Sequence, residues 1–352
     1  MPWVVRDVVN DINTAVARRW PGLDPLLPAP SDLPEGCMPP LLSAGGNGRP
    51  AGLGVCRHVH VPADTLAQTW GTATKFVLTL RLRGPDTRPA ADELLGQWHE
   101  HLAALPEAAQ EDTAAVVNWP SRDISGVLAL LRHGLQPMSV VAARPARHPA
   151  CADGVNAPPG LVIRAAGADD LDVVTEMEMG VVRYDGHFGG SIVRPATERL
   201  LRASTRTALG QLPAWTWLAE MGRRPVGLTV VERPDDAAWI AGMTRPGATA
   251  YLATMFVRPD ERGGGIGAAL VKHVHDELDE RGIGVTLLHH AQVNPLSAPF
   301  WHRMGYRPLW SSWETRPAAS LRLPHLKQLT SHPVSVASIG RGRPRGFAAG
   351  TA

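Results

Sequence analysis

The chain has 352 residues, enough for two ordinary domains with a core each. An apolar share of 44% and a charged share of 19% fit a soluble globular protein, and a net charge of +2 gives no reason to expect a nucleic-acid partner. No stretch nears the roughly 18 uninterrupted apolar residues of a membrane span, and the N-terminus lacks the basic and apolar regions of a secretion signal.

Cys37, Cys56 and Cys151 are widely spaced and odd in number. They form neither a disulfide framework nor a zinc pattern, so the expected setting is cytoplasmic, with no metal. Lys75, Lys272 and Lys327 are the only lysines. The surplus of arginine, alanine, glycine and proline reads as genomic codon bias.

Residues 1–20 read as an amphipathic helix, with Val4, Val5, Val8, Val9 and Ile12 on one side. Residues 21–50 are too rich in proline and glycine for regular structure. Strands are expected at 76–82, 113–118 and 138–143, and helices at 90–105 and 124–133. Residues 144–160 carry four prolines and read as the linker between halves.

The second half begins with a strand at 161–165 and a helix at 169–182. A glycine-rich loop at 184–190 and a helix at 196–208 follow. Strands at 215–220, 226–232 and 251–257 form a meander. A helix at 265–280, a strand at 285–290, a helix at 296–304 and a strand at 306–313 complete it. From 318 the chain turns polar and basic, which reads as a disordered tail rather than a nucleic-acid-binding arm.

The chemistry concentrates after the third of those meander strands. Arg262-Gly263-Gly264-Gly265-Ile266-Gly267-Ala268 joins a strand to a helix whose Ile266, Leu270, Val274 and Leu278 recur every four residues. Glycines let an anion approach the backbone, and the first helix amides lack internal partners at the positive end of the dipole. Arg262 adds charge to this backbone anion site. The loop has neither the Lys-Ser/Thr of a P-loop nor the first-strand position of a dinucleotide fold.

Arg262, Gly265 and Gly267 match the signature Gln/Arg-x-x-Gly-x-Gly/Ala. Asn294, Ser297, Phe300, Trp301, Gly305 and Tyr306 follow a second one, Asn-x-x-Ala-x-x-Phe-Tyr-x-x-x-Gly-Phe. In these motifs and their order, residues 161–316 resemble the GNAT superfamily of acyl-CoA N-acyltransferases. The resemblance implies an α/β (α+β) fold with a mixed, mostly antiparallel central sheet flanked by helices. It implies acetyl-CoA, or another short acyl-CoA, as co-substrate. Met255, Phe256 and Val257 would pair with the pantetheine arm, and the amides of 263–268 would hold the pyrophosphate. Asn294 and Ser297 would flank the arm, and Trp301 the thioester. The acceptor would be a primary amine of a small molecule or peptide, attacking directly in a ternary complex. A homodimer is compatible with the family.

The family usually places a tyrosine where Trp301 stands, and an indole cannot give up a proton. A thiol of pKa about 8.5 still leaves as an anion. For the base, Tyr251, His289, His290 and Glu232 are candidates. His289 and His290 are adjacent on a strand, so at most one faces the site. His273 and His275 read as surface. Tyr184, Asp185 and His187 in the loop at 184–190 could bind the acceptor. A non-catalytic acyl-CoA sensor is the alternative that Trp301 keeps alive.

The first half resembles the second. Arg132-His133-Gly134-Leu135-Gln136-Pro137 aligns with Arg303-Met304-Gly305-Tyr306-Arg307-Pro308, and residues 93–100 with 269–276. That alignment sets 87–91, with Pro89 and no glycine, opposite the anion loop, and Asp123 opposite Asn294. The expected organisation is a tandem of two GNAT-like domains, each with its own mixed, mostly antiparallel sheet flanked by helices: a degenerate GNAT-like or accessory domain at 1–150, a linker at 151–160, the catalytic domain at 161–316 and a flexible tail at 317–352.

Overall fold

The computed structural model describes residues 2–31, 41–44, 49–147 and 157–323. Cys37, Cys151, the linker core at 148–156 and the tail from 324 lie outside them. The first half runs α1 (Pro2–Leu23), β1 (Leu41–Ala44), β2 (Pro50–His60), β3 (Thr74–Leu82), α2 (Arg88–Ala103), β4 (Thr113–Pro120), α3 (Val127–Arg132) and β5 (Gln136–Pro145). The second runs β6 (Leu161–Ala165), α4 (Leu171–Gly186), α5 (Thr197–Leu209), β7 (Thr216–Met221), β8 (Arg224–Glu232) and α6 (Ala238–Ala241). It continues with β9 (Thr249–Val257), α7 (Ile266–Glu280), β10 (Val285–Ala291), α8 (Ser297–Arg303) and β11 (Arg307–Thr315). No helix among the described residues is long and apolar enough to cross a membrane.

The strands form one sheet in the order β1-β2-β3-β4-β11-β5-β10-β9-β8-β7-β6. The mixed, mostly antiparallel sheet expected in each half is present, and the two run on as this single sheet. The halves exchange their last strands. β5 lies between β10 and β11, and β11 lies between β4 and β5. In each half a parallel pair, β3 with β4 or β9 with β10, precedes the exchanged strand. The element order of the first half thus recurs in the second, with α1 answering to α4, α2 to α7 and α3 to α8.

Two expectations fail for physical reasons. Residues 21–50, read as structureless, contain β1 and the start of β2, which runs on through 51–60 where no strand was expected. Their glycines are packing devices: a Cβ on Gly52 would lie 2.7 Å from Leu82 and 3.0 Å from Leu94. The loop at 184–190 is shorter than expected, because α4 runs on to Gly186 and takes in Tyr184 and Asp185.

Helices cover both faces. On one, α2 and α3 pack on Phe76, Leu78, Leu80 and Leu82, and α7 and α8 on Trp217, Val226 and Val257. On the other, α1 sets Val9, Ile12, Val16 and Trp20 against Leu53, Val55, Val141, Leu287 and Trp310, so one core spans both halves. Arg144 binds Asp279 bidentately across the halves at 2.9 and 3.0 Å. Between α1 and α4 the sheet surface stays uncovered. That opening is the floor of the cleft.

Candidate active site

β9 and β10 pair only over Thr249, Ala250 and Tyr251 against Val285, Thr286 and Leu287. Beyond Tyr251 they part, while β9 stays bonded to β8 on its other edge as far as Val257. Ala253 is the extra residue of a bulge, since Val231 pairs with Leu252 and Val230 with Thr254. The edge of β9 through Met255, Phe256 and Val257 therefore lacks a ladder partner. It could accept an extended chain as an added strand.

Beside that edge, Gly263 and Gly265 take φ values of 85° and 89°, a region that favours glycine. Gly265 caps α7, with no side-chain cap. The first internal bond runs from the Ala269 amide to the Gly265 carbonyl, so the amides of Ile266, Gly267 and Ala268 have no acceptor within the helix. Gly267 packs closely, since its Cβ would lie 2.8 Å from the Met255 methyl. Arg262 donates Nε–H to the Val257 carbonyl at 3.0 Å, which holds its guanidinium over the rings of Tyr184 and Phe256. These residues fit a diphosphate: donors converge, no Cβ intrudes at Gly263, and a fixed cation stands beside them.

The cleft runs from this cradle across the middle of the sheet and has a volume of about 1410 Å³. Where β9 and β10 part, three of the predicted catalytic residues meet. Tyr251 Oη lies 3.1 Å from His289 Nδ1, and Glu232 pairs across the ladder with Tyr251. Trp239, from α6, donates its indole N–H to Glu232 at 2.8 Å and stacks on His289 at 6.1 Å between ring centroids. Sequence reading missed Trp239.

His289 is open to the cleft, yet the protein mass around it pushes its imidazolium down to about 4, and the charges of His290 and Lys75 act in the same direction. Burial and Glu232 raise the Tyr251 phenol above its ordinary value. The protonated phenol donates to Nδ1 of a neutral imidazole, so the ring proton sits on Nε2; this tautomer is assigned from the partners. Glu232 is also raised, mainly by burial.

His290 lies on the other face of β10, largely buried, with Nδ1 3.1 Å from the Ala291 carbonyl oxygen, and meets the cleft only where the strands part. It does not join Tyr251 and His289. Trp301 lies in the α8 core, edge-on to Tyr306 at 5.2 Å, with part of its surface on the cleft. Asn294 is committed within the fold: its Oδ1 accepts from the Leu296 and Ser297 amides, and its Nδ2 donates to Asp185 at 3.4 Å. Ser297 opens α8 beside it.

The predicted acceptor residues separate. Asp185 lines the cleft, and burial raises its carboxyl pKa. Tyr184 lies under Arg262 and belongs to the cradle. His187 is exposed beyond the end of α4, outside the cleft lining. A carboxylate that sequence reading did not single out, Glu178 on α4, accepts from the hydroxyls of Thr205 and Thr254, and burial lifts its pKa to about 7. His275, read as surface, is buried against the Tyr306 hydroxyl at 3.1 Å.

The corresponding place in the first half is blocked. β3 and β4 part after Val77 and Val116 as β9 and β10 do. Here α2 is capped by Thr87, whose hydroxyl is 2.6 Å from that of Ser125. Asp123 is buried where the second half has Asn294, and Arg19 of α1 pairs with it. A buried carboxylate and a proline at the helix start oppose phosphate binding.

A glycine-lined anion cradle beside a splayed strand pair, opening on proton-handling side chains, is the arrangement of an acyl-group transferase. Residues 194–306 match the family model described as "Acetyltransferase (GNAT) family", so the chain carries a domain of that family. Among solved structures, a GCN5-related N-acetyltransferase from Sphaerobacter thermophilus is similar, with 15% identity, a TM-score of 0.49 and coverage of 79% of this chain and 80% of that one. A tandem GNAT protein from the clavulanic acid biosynthesis pathway matches with 15% identity and a TM-score of 0.42, over 88% of this chain and 95% of that one. A GCN5-related N-acetyltransferase from Ralstonia eutropha JMP134 has 25% identity and a TM-score of 0.32, over 42% of this chain and 94% of that one. No curated protein matches the chain.

Proposed function

We propose that the chain transfers an acetyl or other short acyl group from acyl-CoA to a primary amine in a ternary complex. The observation that carries this is the unpaired edge of β9 between the glycine cradle and the Tyr251–His289 pair. Acyl-CoA, when bound, supplies the activated thioester carbonyl. The amides of Ile266, Gly267 and Ala268 and the guanidinium of Arg262 would hold its diphosphate, and Met255 to Val257 would pair with its arm. Gly263, Gly264 and Gly265 shape the turn, and Asn294 and Ser297 form the facing wall.

The amine must shed a proton as it attacks. Tyr251 Oη accepts that proton as its own passes to His289 Nδ1, and the carboxylates of Glu232 and Asp185 keep the phenol in its protonated form. Trp301 offers an N–H donor and no exchangeable proton, so the thiolate leaves as the anion. The first half serves as a worn copy that binds no CoA and completes the sheet. Because Trp301 stands where the family has tyrosine, a second reading is acyl-CoA binding without turnover. Thiol release from acetyl-CoA over a panel of amines decides between them. Turnover on any amine supports transfer; tight CoA binding with none supports the sensor.

A further inference from the structure

The cleft does not end at Tyr251 and His289. Its floor continues over β5, β11, β4 and β3 to β2, all in the first half except β11. Asn118, Ser312 and Ser139 face one another in register across β4, β11 and β5, making a polar and uncharged row. At the far end stand two cations, Lys75 on β3 and Arg57 on β2. Arg57 pairs with Val77, and Val59 with Lys75, so the two are diagonal neighbours on one face of the sheet.

Neither cation has an ion pair or hydrogen bond among the described residues. The nearby carboxylates are engaged elsewhere. Glu314 takes both Nε–H and an Nη–H of Arg316 at 3.0 and 2.7 Å, and Asp112 binds Arg194. Lys75 is half-buried, with Nζ 3.0 Å from where a Cβ on Gly71 would lie. Burial lowers its pKa, against the pull of Glu314. The opposite end carries Glu232 and Asp185. The cleft is therefore bipolar, acidic beside the transfer site and cationic across the sheet.

We infer that Lys75 and Arg57 form an anion subsite, and that the acceptor is an elongated amine whose far end carries a carboxylate or phosphate. This rests on the transfer reading for its amine end alone. The backbones of β10 and β3 are four strand spacings apart, about 19 Å at ~4.8 Å each. Long side chains reaching inward shorten that span for the ligand. A diamine would set a second ammonium against Lys75 and Arg57. A hydroxylated or amide-bearing middle would match Asn118, Ser312 and Ser139.

The test uses the full chain, acetyl-CoA and six-carbon amines that differ only at the far end: aminohexanoate, aminohexyl phosphate, aminohexanol and hexanediamine. The two anionic acceptors should have KM values about tenfold below the alcohol, with the diamine poorest. The better of the two identifies carboxylate or phosphate. Lys75→Met and Arg57→Met should each remove most of that preference, with the KM for aminohexanol and acetyl-CoA unchanged and the melting temperature intact. Lys75→Arg should keep it. A preference for the diamine, or equal losses on all four amines, overturns the subsite. If no amine is turned over, calorimetric binding of aminohexanoate and aminohexyl phosphate judges it separately. Binding lost in Lys75→Met sustains the subsite while the transfer reading fails; binding absent in the wild type, or unchanged in Lys75→Met, overturns it.

Discussion

Gly265→Val tests the cradle at the start of α7. At φ 89° a residue with a Cβ pays roughly 1–2 kcal/mol, and a β-branched one more. Against a typical stability of roughly 5–15 kcal/mol the chain stays folded. The turn can relieve the strain only by rotating its peptide planes, which turns the amides of Ile266 and Gly267 away from a shared anion. Losing two charge-assisted hydrogen bonds at roughly 1.5–3 kcal/mol each weakens CoA binding by about 100- to 10,000-fold. Gly282→Val is the control. Gly282 has φ 76°, no atom within 4 Å of its Cβ, and sits at the other end of α7. It should cost similar stability and leave binding alone. Calorimetric titration with CoA, read beside a thermal melt, gives both quantities. If Gly265→Val binds CoA within about threefold of wild type, the amides do not hold the diphosphate.

His289→Ala should lower kcat about 100-fold with CoA affinity unchanged, and since the wild-type ring stays neutral above about pH 4, the kcat/KM profile should show no limb near 6.5 from this residue. A limb there that disappears in His289→Ala would refute its placement as a neutral proton acceptor. Glu178 titrates near 7 when folded against 4.5 otherwise, so the folded chain keeps the extra proton between those values. Its contribution is complete below about pH 4.5 and falls by about 3 kcal/mol as pH rises to 7. Glu178→Gln should flatten that part of the melting-temperature profile, and an unchanged slope would remove Glu178 as its source. Residues 157–323 expressed alone should fail to fold, because β11 loses β4 and β5 and β10 loses β5. Co-expression with residues 1–147 should restore soluble protein; a cooperative melt of the lone fragment would contradict the role given to the exchange.

The strand, glycine turn and helix over 251–280 were legible because each is a local pattern. An apolar run, a break that needs positive φ and a fourfold repeat on one helix face depend on neighbours in the chain. The same local logic passed over β2, whose Gly52 and Gly54 interrupt the strand pattern and serve to admit Leu94 of α2. It also ended α4 too early, since Asp185 and Gly186 in its last turn suggest a loop. The alternation of His289 and His290 was readable from strand geometry alone. Which of them faces Tyr251 was not.

By itself the sequence determined a glycine-rich anion loop in the second half, its erosion at Thr87 to Ala91, and a repeated order of elements. Tertiary structure alone decided that the halves trade β5 and β11, because strand partners far apart in the chain are chosen by the whole sheet. That exchange brings β3 and β2 onto the same floor as β10, and so puts Lys75 and Arg57 in one cleft with His289. Side chains as distant in sequence as these share a site only through strand register, which local patterns do not encode.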